Sequence, residues 1–255
     1  MMKRRDFCLS LGGAMLVPSL LSEDREVDGF AARIYRSKRG ETMPYRLFVP
    51  RSYQKRERYP LVLWLHGGAG VGSDNLKQIT GGNTSGSHIW TKAENQSRYP
   101  SIVVAPQCAE NEMWTTLDKA TATGQLMLAL ELIEDLREEF KIDARRIYVA
   151  GQSMGGFAAW SLLAIDRPRI FAAAIPVCGG GDESKARLIA RVPVWAFHGE
   201  KDSSVSVERS RNMIAALKSA GASPRYTEYK DAGHVIWERV FSEPELLPWV
   251  FAQRN

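Results

Sequence analysis

The chain has 255 residues and is 44% hydrophobic, 25% charged and 9% aromatic, the range of an ordinary folded globular protein and far from disordered, collagen-like or coiled-coil compositions. Of the formal charge of +5, Lys3, Arg4 and Arg5 against Asp6 fall in the first 22 residues, leaving 31 basic against 28 acidic groups beyond them. With so small an excess and no basic run interleaved with aromatics, nucleic acid is not an expected partner. Cys8, Cys108 and Cys178 are too few for a disulfide framework, and no run of 18 or more apolar residues after the N-terminal segment offers a membrane span.

Residues 1–22 carry a short basic cluster followed by an apolar stretch, Ser10 to Leu21, the order of charges and apolar residues found in export signals. Arg4-Arg5-Asp6-Phe7 resembles the diagnostic pair, variable residue and phenylalanine of a twin-arginine signal. An exported, periplasmic or extracellular protein is the expectation, with residues 23–255 as one catalytic-size domain.

Along that body, Phe30–Arg36 and Tyr45–Val49 alternate apolar with polar residues, as the strands of an edge hairpin do. Five continuous apolar runs follow, at Pro60–Leu65, Ser101–Ala105, Arg146–Ala150, Ala172–Cys178 and Val192–Phe197. Runs without alternation mark strands covered on both faces of a parallel sheet. Helical periodicity occupies Thr123–Phe140, Gly156–Ala164 and Val207–Lys218, and Arg225–Tyr229 reads as the opposite edge strand. Strand and helix in alternation predict an α/β fold with a mostly parallel sheet of about eight strands and helices on both faces. Cys108 and Cys178 then end strands three spacings apart, about 14 Å, too far for a disulfide.

Gly151-Gln-Ser153-Met-Gly155 follows the strand ending at Ala150 and opens a helix. This is the sequence of a nucleophile elbow: a strand-to-helix turn too tight for side chains on either side of the serine, which aims the hydroxyl off the sheet. A serine hydroxyl needs a base within hydrogen-bond reach, and the four histidines are His66, His88, His198 and His234. Where such an elbow operates, the chain order is Ser, acid, His, which leaves His198 and His234. His198 ends a buried strand and reads as a turn-forming residue, whereas His234 lies in a loop past the last edge strand and is the expected base. Between Ser153 and His234, His198-Gly-Glu200-Lys-Asp202 offers two carboxylates to orient the imidazole. Asp202, four residues past the strand end, is preferred to Glu200 inside the turn, and Asp231 reads as a loop brace. His66-Gly-Gly68-Ala69 follows the strand begun at Pro60. It is placed to supply a backbone N–H to a developing oxyanion, Gly68 first and Ala69 second, beside the N–H of Met154. No phosphate-loop or metal-ligand spacing occurs, so no metal and no cofactor are expected.

Tyr45-Arg-Leu-Phe-Val-Pro50, His66-Gly-Gly, Ala105-Pro-Gln-Cys108, Gly151-Gln-Ser-Met-Gly-Gly156, His198-Gly-Glu-Lys-Asp202 and Ala232-Gly-His234 together resemble the α/β-hydrolase superfamily. They are most similar to its small bacterial phospholipase/carboxylesterase or predicted-peptidase members, over residues 28–253. The resemblance implies a Ser153, Asp202, His234 triad and ester hydrolysis without a cofactor; small-molecule or polysaccharide-linked esters, with short-chain or exposed feruloyl-type acyl groups, are the expected substrates. Between Cys178 and Val192 there is too little chain for a large lid. The long connection from Gly67 to Pro100 is expected to wall the pocket instead, with Trp114 and Trp237 either gripping substrate or packing. A serine peptidase is the alternative function, and a non-catalytic binding protein on the same fold the third.

Overall fold

The computed structural model describes residues 26–165 and 169–255; the export-signal reading of residues 1–22 falls outside them. Among the described residues nine strands form one sheet: β1 (Glu26–Val27), β2 (Phe30–Arg36), β3 (Thr42–Phe48), β4 (Tyr59–Leu65), β5 (Ile102–Pro106), β6 (Ile142–Gln152), β7 (Ala173–Val177), β8 (Trp195–Gly199) and β9 (Arg225–Tyr229). Their spatial order is β1-β2-β3-β5-β4-β6-β7-β8-β9. Pairings among β1, β2, β3 and β5 are antiparallel, and all those from β5 through β4 to β9 are parallel. The eight expected strands are present, and two-residue β1 is the ninth.

The continuous apolar runs have a direct cause in the two-residue period of a strand. Leu61, Leu63 and Leu65 of β4 enter one core layer with Ile102, Val104, Ile147 and Val149. Val62 and Trp64 enter the other with Val103, Tyr148, Ile175 and Phe197. On the first face lie α3 (Gly124–Glu139), α4 (Met154–Ala164), the four-residue α5 (Ala186–Ile189) and α6 (Glu208–Ser219). The second is covered by α7 (Trp237–Phe241), α8 (Leu246–Ala252) and Trp90, from the connection that holds α1 (Thr84–His88) and α2 (Ala93–Arg98). Strand β8 starts later than its apolar run, because Val194 makes only an isolated bridge to Ala174 and Pro193 has no N–H to continue a ladder. The β7–β8 connection holds one 3-10 turn and α5, with no room for a large lid.

This order places the carboxyl end of β4 directly beside that of β6, with Leu65 opposite Gly151. From β4 the chain crosses to β5 on one side and from β6 to β7 on the other, and a crevice opens between two neighbouring strands whose connections diverge in this way. His66, fully buried at the end of β4, pins that crevice from beneath. Its Nε2 accepts the Cys108 N–H at 3.0 Å, so Nδ1 carries the hydrogen and donates to the Gly67 carbonyl at 2.7 Å. Cys108 and Cys178, ending β5 and β7, are both buried free thiols.

Burial pushes the His66 imidazole from its ordinary value of 6.5 down to about 4. An unfolded chain therefore takes up a proton that the folded one refuses, and stability falls as pH drops from about 6.5 to about 4. The loss from this residue flattens out below that at roughly 3 kcal/mol. In denaturant titrations at a series of pH values, His66→Gln, which keeps an acceptor for the Cys108 N–H, is expected to show a shallower acid slope. An identical slope in both proteins would contradict the assignment.

Candidate active site

Ser153 sits at φ 54° and ψ −117°, between the last residue of β6 and the first of α4, in a region that costs a non-glycine residue of order 1–3 kcal/mol. The surroundings hold it there. Its N–H donates to the Val177 carbonyl at 2.8 Å, and its own carbonyl accepts from Gly156 and Phe157 in the first turn of α4. Gly155 is required by proximity, since a Cβ there would lie 1.9 Å from the Leu65 carbonyl oxygen of β4. Met154 is the first residue of α4, so its N–H has no acceptor within the helix and points out of the helix's positive end.

Opposite this turn, Gly68 opens a 3-10 turn over Gly68–Gly70. The Gly67 N–H is already taken, donating at 3.0 Å to Asn83 Oδ1. Asn83 Oδ1 also accepts from Gln152 Nε2 at 3.1 Å, while Asn83 Nδ2 donates to the Lys77 carbonyl at 2.9 Å. One buried amide thus ties the glycine loop, the residue before Ser153 and the long 67–100 connection together. The long connection does border the site, but as a set of short helices and turns, with Asn83 as the side chain it sends in.

The β8 and β9 ends carry the other half. Beyond the last ladder pair, Gly199 with Tyr229, the two turns remain stitched by Glu200 N–H to Tyr229 O at 3.0 Å and Lys201 N–H to Ala232 O at 2.9 Å. A Cβ at residue 199 would meet the Gly233 carbonyl oxygen at 2.1 Å, so the approach depends on glycine there. It delivers His234 Nδ1 to 2.7 Å from Asp202 Oδ2 and His234 Nε2 to 2.9 Å from Ser153 Oγ. Asp202 Oδ1 accepts the Ser204 and Val205 N–H groups, each at 2.8 Å. Burial raises the cost of the Asp202 charge, but the donors from Val205, His234 and Ser204 more than offset it and hold the carboxyl below its ordinary value.

Ser153, Asp202 and His234 are therefore brought into one hydrogen-bonded chain, with Met154 and Gly68 on the two turns flanking it. Glu200 instead points to Arg211 at 4.0 Å, Asp231 pairs with Arg239 at 2.9 Å, and His88 pairs with Asp28 at 3.1 Å. Trp114 and Trp237 are buried and pack: Trp114 Nε1 donates to the His66 carbonyl, and the Trp237 ring stands edge-on to His234 with centroids 5.1 Å apart. Trp237 begins α7, not a loop. The sequence reading missed Asn83, which nothing local distinguishes from any polar loop residue.

Among the described residues, Cys178, Asp202 and His234 are the group whose ligand atoms lie close enough together, within 4.8 Å, to hold a metal. Burial pushes the Cys178 thiol upward, away from the thiolate a metal needs, and Asp202 and His234 spend their facing atoms on each other. Exposed Val235 follows His234 directly. On the α4 side, Arg209 reaches over the Phe157 ring to the carbonyls of Leu117 and Asp118, tying exposed Leu117 to the first turn of α4.

A thermostable esterase of known structure shares 37% sequence identity with this chain at a TM-score of 0.85, over 89% of this chain and 64% of its own. A ferulic acid esterase structure superposes at a TM-score of 0.67 over 88% of this chain and 98% of its own, at 19% identity. The bifunctional acetylxylan esterase/xylanase XynS20E of Neocallimastix patriciarum is 23% identical over 197 residues, which are 77% of this chain and 27% of that protein. The chain thus spans about a quarter of that relative and just under two thirds of the thermostable esterase. The family described as "Putative esterase" matches residues 37–228. With the sheet order above, the chain belongs to this family and has the α/β-hydrolase fold.

Proposed function

We propose that the protein is a serine carboxylesterase that works through an acyl-enzyme on short or exposed acyl groups. The observation that carries this reading is the unbroken chain Ser153 Oγ, His234 Nε2, His234 Nδ1, Asp202 Oδ2, with links of 2.9 and 2.7 Å. In it, His234 Nε2 takes the hydroxyl proton as Ser153 Oγ attacks the ester carbonyl. Asp202, anionic and buried, keeps the hydrogen on Nδ1 and stabilises the imidazolium that forms. The carbonyl oxygen becomes an oxyanion and is met by the N–H groups of Met154 and Gly68, donors set in place before the reaction begins. His234 then gives its proton to the departing alkoxide. Water attacks the acyl-serine with His234 again as base, and the carboxylic acid leaves.

Substrate preference follows from what flanks these atoms. The β7–β8 connection is too short to close over a long acyl chain, and both candidate gripping tryptophans are committed to packing. Small acyl groups, or acyl groups standing out from a polysaccharide, suit a site without a large lid, in keeping with the acetylxylan esterase named for the Neocallimastix patriciarum relative. Esters are favoured over amides because an alkoxide leaves more readily than an amine, which must first receive a proton.

Steady-state kinetics on p-nitrophenyl acetate, butyrate and palmitate beside an aminoacyl p-nitroanilide test the reading. The two short esters are expected to give the highest kcat/KM and the anilide the lowest. Ser153→Ala is expected to abolish turnover, Asp202→Asn to lower kcat by about 10⁴-fold through the wrong imidazole tautomer, and Glu200→Gln to stay near wild type. An anilide that outruns every ester, or an active Ser153→Ala, would overturn the assignment.

Export by the twin-arginine route is part of the same proposal, resting on Arg4-Arg5-Asp6-Phe7 ahead of the apolar stretch. Replacing Arg4 and Arg5 together by Lys is expected to leave the esterase inside a bacterial host when fractions are assayed. Unchanged export of the double variant would contradict the route.

A further inference from the structure

The reaction proposed above asks two backbone N–H groups to meet the oxyanion, and one of them, on Gly68, follows a residue with no side chain to fix its direction. Glycine turns about both of its backbone bonds at little cost, so the Gly68 N–H is aimed only as well as Gly67 is held. Gly67 adopts φ −76° and ψ −179°. A Cβ on it would lie 3.5 Å from the Ser153 Cβ, whereas a Cβ on Gly68 would meet nothing within 4 Å. Gly67 thus lies against the serine, and the Gly68 Cα borders open space.

A trans peptide unit is planar, with its C=O and N–H pointing in opposite directions, so holding one end of the unit aims the other. The unit after Gly67 is held by its carbonyl, which accepts from His66 Nδ1 at 2.7 Å and from the Gly70 N–H at 2.9 Å. The Gly68 N–H therefore points away from both of those donors. The unit before Gly67 is held at both ends: the His66 carbonyl accepts from Trp114 Nε1 at 3.2 Å, and the Gly67 N–H donates to Asn83 Oδ1 at 3.0 Å. With both planes held, the two rotations at Gly67 are held as well.

The Asn83 link also reaches the serine. Gln152, the residue before Ser153, turns Nε2 to two acceptors, the Gly82 carbonyl at 2.7 Å and Asn83 Oδ1 at 3.1 Å. Asn83 Nδ2 faces the Lys77 carbonyl at 2.9 Å, so Oδ1 is the atom that receives the two N–H groups. The backbone of Asn83 is fixed too. It closes the 3-10 turn Gly81–Asn83 with its N–H on the Thr80 carbonyl at 3.0 Å, and its own carbonyl accepts from Ser87 Oγ at 2.9 Å. Only 1% of Asn83 is exposed, so water does not compete for these bonds.

We propose that Asn83 is a positioning residue for the oxyanion site: by taking the Gly67 N–H on an oxygen that Gln152 holds beside Ser153, it keeps the Gly68 N–H aimed at the point where negative charge develops. The proposal rests on the reading of Ser153 as nucleophile and Gly68 as oxyanion donor. Its consequence is selective. A hydrogen bond to a charged acceptor is stronger than one to a neutral carbonyl, so a donor that drifts from its direction costs the tetrahedral adduct more than the bound ester.

The test compares two inhibitors of the full chain. One is a short-chain trifluoromethyl ketone: Ser153 Oγ bonds to its carbonyl carbon, the hydroxyl proton passes to His234, and the carbonyl electron pair is left on oxygen as an oxyanion. The other is the matching trifluoromethyl alcohol, which has no carbonyl to attack. Both are measured on wild type, Asn83→Ala, Gln152→Met and Ser153→Ala, beside kinetics on p-nitrophenyl acetate normalised to sites counted by complete fluorophosphonate labelling. Asn83→Ala is expected to weaken the ketone and lower kcat by roughly tenfold, less than the roughly 10²- to 10³-fold of losing a donor outright, with the alcohol and KM within about twofold of wild type. Equal weakening of ketone and alcohol would mark a generally loosened pocket and overturn the proposal, as would an unchanged ketone. Should Asn83→Ala fail to fold, Gln152→Met, which keeps the side-chain length and removes the donor to Asn83 Oδ1, is read the same way: a ketone weakened beyond the alcohol supports the proposal, and equal or absent shifts overturn it. A ketone that binds Ser153→Ala as tightly as wild type would overturn the reading of Ser153 as nucleophile, an outcome separate from any result at Asn83.

Discussion

The Leu65 carbonyl oxygen of β4 occupies the space that a side chain on residue 155 would need, and the active end of the molecule is arranged around that close approach. It lets α4 start immediately against the central strand, which forces the chain through a left-handed residue at Ser153. That residue is the one whose hydroxyl is then thrown clear of the sheet. The strain is small beside what over-determines it: a bond from the Ser153 N–H to the Val177 carbonyl, two bonds from the first turn of α4, and a core layer of side chains from β4, β6 and α4. Because β4 and β6 are neighbours, the same approach puts the glycine turn after β4 next to the serine. In the proposed reaction the two donors to the oxyanion, the Met154 and Gly68 N–H groups, come from these two adjacent turns and are backbone groups.

On the other side of the serine the governing quantity is a buried charge. A carboxylate with no exposed side-chain surface is costly unless its lone pairs are occupied, and Asp202 accepts from two N–H groups of its own turn and from His234. That is why the turn after β8 and the loop after β9 are stitched backbone to backbone past the end of their ladder. The donors that make the burial tolerable include the His234 imidazole, which meets Asp202 through Nδ1 and leaves Nε2 facing Ser153 Oγ. By contrast His66, equally buried, meets one donor and one acceptor and stays neutral, and its work is to fix the loop rather than to move protons.

Much of this was legible in the sequence, for reasons that are local. A strand covered on both faces has to be apolar at every position, so β4, β5 and β7 announce themselves, and an elbow this tight requires glycine at fixed offsets from Ser153. Order along the chain then separated His234 from His198, and distance from the strand end separated Asp202 from Glu200. What stayed hidden depends on groups far apart in sequence. Asn83 reaches Gly67 and Gln152 only because a connection of some thirty residues folds back as short helices. Trp114 and Trp237 offered two readings, and burial decides for packing in each.

The central claim is that Ser153 carries the acyl group between the two halves of the reaction. It is tested most directly by quenching the enzyme in acid during turnover of p-nitrophenyl acetate and locating the acetyl group by peptide mass spectrometry. One acetyl group per chain is expected, on Ser153, and none in His234→Ala. An unmodified Ser153 peptide during turnover, or the acetyl group on a different residue, would contradict it.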